Sequence, residues 1–116
     1  MTKLPHQHPR GFRPEYLPEP QEIARLAELF KLISDPTRLR LFSLLCHCRE
    51  CVTDLAALLE VSSPALSHHL RLLRQAGLIE SQREGKEVYY TATRTPTTQA
   101  LHQASDHILA LTCPQA

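Results

Sequence analysis

The chain has 116 residues, 42% of them hydrophobic and 22% charged, the make-up of one ordinary folded domain. No apolar run approaches the roughly 20 residues of a membrane-spanning helix, and residues 1–13 lack the apolar core of a secretory leader, so a cytoplasmic protein without a membrane partner is expected. A formal net charge of +1 excludes polyanion binding through bulk charge, and a nucleic-acid role has to rest on local pattern.

Residues 1–20 carry Pro5, Pro9, Pro14, Pro18 and Pro20 with little periodicity and read as a flexible arm, on which His6 and His8 read as solvated side chains. From Gln21 onward, Ile23, Leu26, Ala27, Phe30 and Ile33 recur at helical spacing. Asp35 and Pro36 stop that helix and start the next, as a cap and a first-turn proline do. Leu39, Phe42 and Leu45, broadened by Leu41 and Leu44, predict a second helix buried on more than one side.

Residues 46–51 read as a connection. A short helix with Leu55, Leu58 and Leu59 follows behind Asp54, and residues 60–62 read as a tight turn. Ser63 reads as the cap of the next helix, with Pro64 in its first position, Leu66, Leu70 and Leu73 on one face, and Gly77 as a left-handed stop. Two strands are predicted at 78–82 and 88–92, with residues 83–86 as the hairpin tip and Gly85 free to take a positive φ. A last helix begins near Thr97 and lines up Leu101, Ala104, Ile108 and Leu111. The expected fold is mainly α with a β-hairpin wing, a winged helix-turn-helix over residues 21–112, followed by a short tail at 113–116.

With its apolar stripe turned inward, the helix beginning at Ser63 offers Ser63, Ser67, His68 and Arg71 on its other face. Hydroxyls near a helix N-terminus reach phosphates or base edges, and an arginine one or two turns on can grip guanine or a phosphate. Arg74 lies further along and reads as a backbone contact or a solvated charge. His68 and His69 are neighbours about 100° apart around the helix, so one is expected to face DNA and the other to pack. Arg83 and Lys86 put cations on the wing, diluted by Glu84 and Glu87; Tyr89 and Tyr90 read as one core-facing and one surface-facing ring.

Cys46, Cys48 and Cys51 fall within six residues. In a reducing compartment such a cluster points to a metal, metalloid or redox site rather than a disulfide framework. Three soft thiolates suit As(III), Sb(III), Cd(II), Pb(II) or Zn(II), and the trivalent metalloids need no fourth ligand. His47 inside the cluster is a possible nitrogen ligand that would favour zinc, and Cys113 a possible extra sulfur. Cys51 sits where a helix N-cap is expected, a position that favours thiolate. A thiol-based redox or sulfide switch is the alternative. No nucleophile–base–orienter set can be placed, so an enzyme is not expected.

The run Asp35-Pro36-Thr37-Arg38-Leu39-Arg40-Leu41, the helix residues Val61 to Leu70, the Gln75-Ala76-Gly77 stretch and the wing run Arg83 to Tyr90 together resemble the ArsR/SmtB family of metal-sensing repressors. The resemblance covers about residues 20–111. It implies a homodimer formed through the first and last helices, bound to double-stranded operator DNA and released by an effector. Family members with a thiol site near the third helix carry Cys-Val-Cys-Asp, whereas this chain has Cys51-Val52-Thr53-Asp54, with Cys46 and Cys48 upstream as replacements. Of the four last-helix zinc positions that the resemblance implies, Arg94, Pro96 and Ala110 occupy three and only His107 is a ligand type, so that site is not expected. His102 and Asp106, spaced i, i+4, read as a solvated pair.

Overall fold

The computed structural model describes residue 15 and residues 17–113, and most of the expected arm and tail lies outside them. Five helices and three strands follow one another as α1 (Pro20–Ile33), α2 (Pro36–Leu45), β1 (Glu50–Cys51), α3 (Val52–Leu59), α4 (Ser63–Gln75), β2 (Ile79–Glu84), β3 (Glu87–Ala92) and α5 (Pro96–Thr112). The winged helix-turn-helix is therefore present, with α3 and α4 as its helix pair and β2–β3 as the wing. Among the described residues no helix is long and apolar enough to cross a membrane.

Local chemistry sets the element ends. The Asp35 carboxylate accepts the Arg38 backbone N–H at 2.9 Å and caps α2. That hydrogen bond holds the Asp35 carboxyl below its ordinary pKa. The cap of α4 is Ser62, not Ser63: its hydroxyl accepts the Ala65 N–H at 3.2 Å, and Ser63 and Pro64 fill the first turn. Both serines suit a cap by composition, but only the extended backbone of Ser62 aims its oxygen at the orphan N–H groups. Gly77, at φ +77, closes α4 in a Schellman arrangement, with its N–H on the Arg74 carbonyl and the Leu78 N–H on the Leu73 carbonyl.

The hairpin is longer and tighter than expected. Glu84 pairs with Glu87, and only Gly85 and Lys86 remain as the loop. Gly85 takes φ +62 and Lys86 stays out of the left-handed region, the pattern of a two-residue II′ turn. Arg83 consequently lies in β2, opposite Val88, rather than at the tip. Strand β1 was not anticipated. It pairs antiparallel with β3, Glu50 opposite Tyr90 and Cys51 opposite Tyr89, giving the sheet order β1-β3-β2.

The core is built from Leu41, Phe42 and Leu45 of α2, Leu55 and Leu59 of α3, Leu66, Leu70 and Leu73 of α4, Leu78 and Ile79 at the start of the wing, and Leu101 of α5. Leu29, Leu32 and Ile33 pack α1 against it, while Ile23, Leu26 and Phe30 keep about half their surface open, at 46%, 44% and 55%. Helix α5 buries only Thr98 and Leu101; Ile108, Leu109 and Leu111 are exposed.

Candidate nucleic-acid interface and thiol connection

Ser63, Ser67, His68 and Arg71 all lie on the exposed face of α4, opposite Leu66, Leu70 and Leu73. The Arg71 guanidinium donates to His68 Nδ1 at 2.9 Å, so the ring accepts there and steadies the cation. His69 turns the other way. It is half-buried, its Nδ1 accepts from Arg38 Nε at 3.3 Å, and its Nε2 lies 3.9 Å from the Asp35 carboxylate. Burial pushes the His69 pKa down, against the pull of Asp35. Arg38 also donates to the Leu32 carbonyl at 2.6 Å, joining the end of α1 to α2 and α4.

On the wing, Arg83 and Lys86 are exposed. Arg49, which sequence reasoning passed over, pairs with Glu84 at 2.6 Å and lies 4.3 Å from the centre of the Tyr89 ring. One of the two acidic residues diluting the wing is thereby engaged by a cation from the thiol connection. Tyr90 packs against the core.

The three thiols occupy three different settings. Cys46 is the half-buried C-cap of α2. The Cys48 thiol donates to the Leu44 carbonyl at 3.3 Å. Cys51 is buried, belongs to β1, and is the N-cap residue of α3, with its thiol 3.5 Å from Asp54 Oδ2. The Thr91 hydroxyl of β3 lies 3.3 Å from both the Leu45 and Cys48 carbonyls and holds the connection against the wing. Cys113 stands at the far end of α5, exposed.

Among the described residues, three metal-ligand atoms come within 4.8 Å of one another at His47, His102 and Asp106. The thiols are not gathered in this way. His47 meets α5: its Nε2 is 3.2 Å from His102 Nε2, and the rings stand edge to face with centroids 4.8 Å apart.

Burial, with the Asp106 charge adding to it, pushes the Cys46 thiol up to about 11 from 9.0. The folded chain therefore favours the protonated thiol. The resulting stability is present below pH 9, falls as pH rises through about 11, and should be lost less steeply in Cys46→Ala. Urea midpoints measured across that range check this; parallel curves for the two proteins refute it.

Residues 35–81 match the family described as bacterial regulatory protein, arsR family. A Synechocystis transcriptional repressor SmtB homolog is 40% identical over 84 residues, covering 72% of this chain and 64% of that one. The Escherichia coli arsenical resistance operon repressor is 45% identical over 64 residues, 54% of this chain and 55% of that one. The transcriptional repressor BigR from Xylella fastidiosa has a similar structure, with a TM-score of 0.70 at 30% identity over 83% of this chain and 94% of that one. The chain belongs to the ArsR family.

The matched stretches span 64% and 55% of the Synechocystis and E. coli relatives' own lengths. Within this ArsR-family chain the family match runs from the α2 cap through α4 into β2, and takes in every thiol of the connection. The wing tip and α5 lie beyond it.

Proposed function

We propose that the chain is a transcriptional repressor that binds operator DNA as a homodimer and is released by a thiophilic ion, As(III) or Sb(III), taken up by Cys46, Cys48 and Cys51. In this reading residues 21–112 form the DNA-binding and dimerisation domain, residues 1–20 the arm and 113–116 the tail. Ser63, Ser67, His68 and Arg71 face DNA from α4, and Arg83 and Lys86 from the wing. Two copies meeting through the open faces of α1 and α5 would present two recognition helices about one DNA turn apart. The family and the two repressors similar in sequence support regulation at DNA, and one of these is named for arsenical resistance.

The observation that carries the release mechanism is the double place of Cys51, which pairs with Tyr89 in the wing and occupies the N-cap position of the first helix of the helix-turn-helix. A ligand drawing Cys51 toward Cys46 and Cys48 would strain both DNA-contacting parts at once. The segment between α2 and β1 has no regular structure at Cys48 and Arg49, so drawing the three thiols onto one soft ion would break side-chain contacts, such as that of the Thr91 hydroxyl with the Cys48 carbonyl, rather than a helix or a strand. Three sulfurs suit the trivalent ions, which need no fourth ligand. Arsenous acid exchanges its hydroxides for thiols and releases water, so a protonated thiol needs no prior ionisation. Cadmium, lead or zinc would release the thiol protons into solvent, so uptake of a divalent ion would be more pH-dependent.

The test is titration of operator-bound protein with arsenite under strict reduction, beside Cys46→Ser, Cys48→Ser and Cys51→Ser. Wild type should lose about 5–150-fold in operator affinity, and each variant should respond less. If all three variants respond like wild type, the thiols are not the sensor. Release only by an oxidant or sulfane sulfur would move the reading to a redox switch, and release by cadmium, lead or zinc alone to a divalent sensor.

A further inference from the structure

We propose that His47, His102 and Asp106 bind one divalent transition-metal ion of the Zn(II) class, at a site separate from the thiols, that fastens α5 to the end of α2. The three side chains come from distant parts of the sequence: His47 from the turn after α2, and His102 and Asp106 from one face of α5. His102 Nε2 lies 3.2 Å from His47 Nε2 and 3.0 Å from Asp106 Oδ2. Ligand atoms at ~2.0–2.1 Å from a tetrahedral zinc stand about 3.3 Å apart. The two measured edges are thus close to those of a coordination tetrahedron, and the third pair also lies within 4.8 Å.

The donor set is chemically coherent. Two imidazole nitrogens and one carboxylate oxygen are ordinary zinc ligands, and three protein ligands leave the fourth position to water. With no ion, two imidazoles meeting nitrogen to nitrogen share at most one proton between lone pairs. An ion uses both lone pairs and neutralises the Asp106 charge. None of the three residues occupies a last-helix zinc position implied by the family resemblance.

The site also answers a mechanical need. Beyond Leu101, α5 buries no residue, and its outer turns expose Ile108, Leu109 and Leu111. An ion at His102 and Asp106 pins the middle of the helix to α2 and sets the direction in which that apolar face points.

The test adds Zn(II) to the full chain, ¹⁵N-labelled at histidine, in a reducing buffer. The Nε2 resonances of His47 and His102 are expected to shift together and saturate at one ion per chain, while those of His68, His69 and His107 stay in place. The thermal midpoint should rise with zinc in wild type, and not in His102→Ala or Asp106→Asn. Cys48→Ser should keep the paired histidine shifts, which separates this site from the thiols. Unmoved His47 and His102 resonances at saturating zinc would mean a plain hydrogen-bonded His–His–Asp cluster and overturn the proposal, as would a His47 shift that survives His102→Ala. Arsenite release reads the cysteines alone, so either result stands without the other.

Discussion

Leu66→Ala is expected to be severely damaging, costing about 2–5 kcal/mol. Leu66 has no exposed surface and shares the core with α2 and α3, so truncation leaves a cavity that helices packed on several sides cannot close. A domain of this size has a total stability of only about 5–15 kcal/mol, so the loss is a large share of it. Urea denaturation should show the midpoint fall at an unchanged slope. Leu58→Ala is the contrast: its side chain is 56% exposed and the change should stay within about 0.5 kcal/mol. Equal losses in the two variants would show that the two faces of the helix pair have been assigned wrongly.

Arg71→Ala should weaken operator binding by about 1–3 kcal/mol, roughly 5–150-fold, with circular dichroism and melting unchanged. The fold should not notice the change, because Arg71 is exposed and the hydrogen bond it makes is to His68, also exposed. The form of the loss identifies the contact. A guanine contact relaxes preference at one base position, whereas a phosphate contact weakens all sequences alike and lowers the salt slope by about one. His68→Ala should give a smaller loss in the same direction, since it frees the guanidinium without removing it. Unaltered affinity across a salt series would mean that another face of α4 meets DNA.

Much of the architecture was legible because it is written locally. Asp35-Pro36 and Gly77 mark helix ends by what their own backbones can do, and Gly85 marks the turn in the same way. The apolar stripes of α2 and α4 follow from spacing alone. What escaped depends on residues far apart. Strand β1 is only two residues long and owes its existence to Tyr89 and Tyr90; no pattern within Glu50–Cys51 could announce it. The choice between Ser62 and Ser63 turned on backbone direction, which two adjacent serines do not reveal. His47 was grouped with its cysteine neighbours, whereas folding delivers it to His102, 55 positions away. His102 and Asp106 were recognisable as a pair, but their third member was not.

The late partner of β1 has a consequence for the chain as it is made. Cys51 is covered by a strand that lies 38 positions downstream, at Tyr89. A ribosome adding about 5–20 residues per second needs some seconds to deliver that strand, and α3 and α4 have to emerge before it. For that interval Cys51 has no partner strand and β1 cannot form. Cys51 therefore reaches its folded setting only after the whole helix pair has been made.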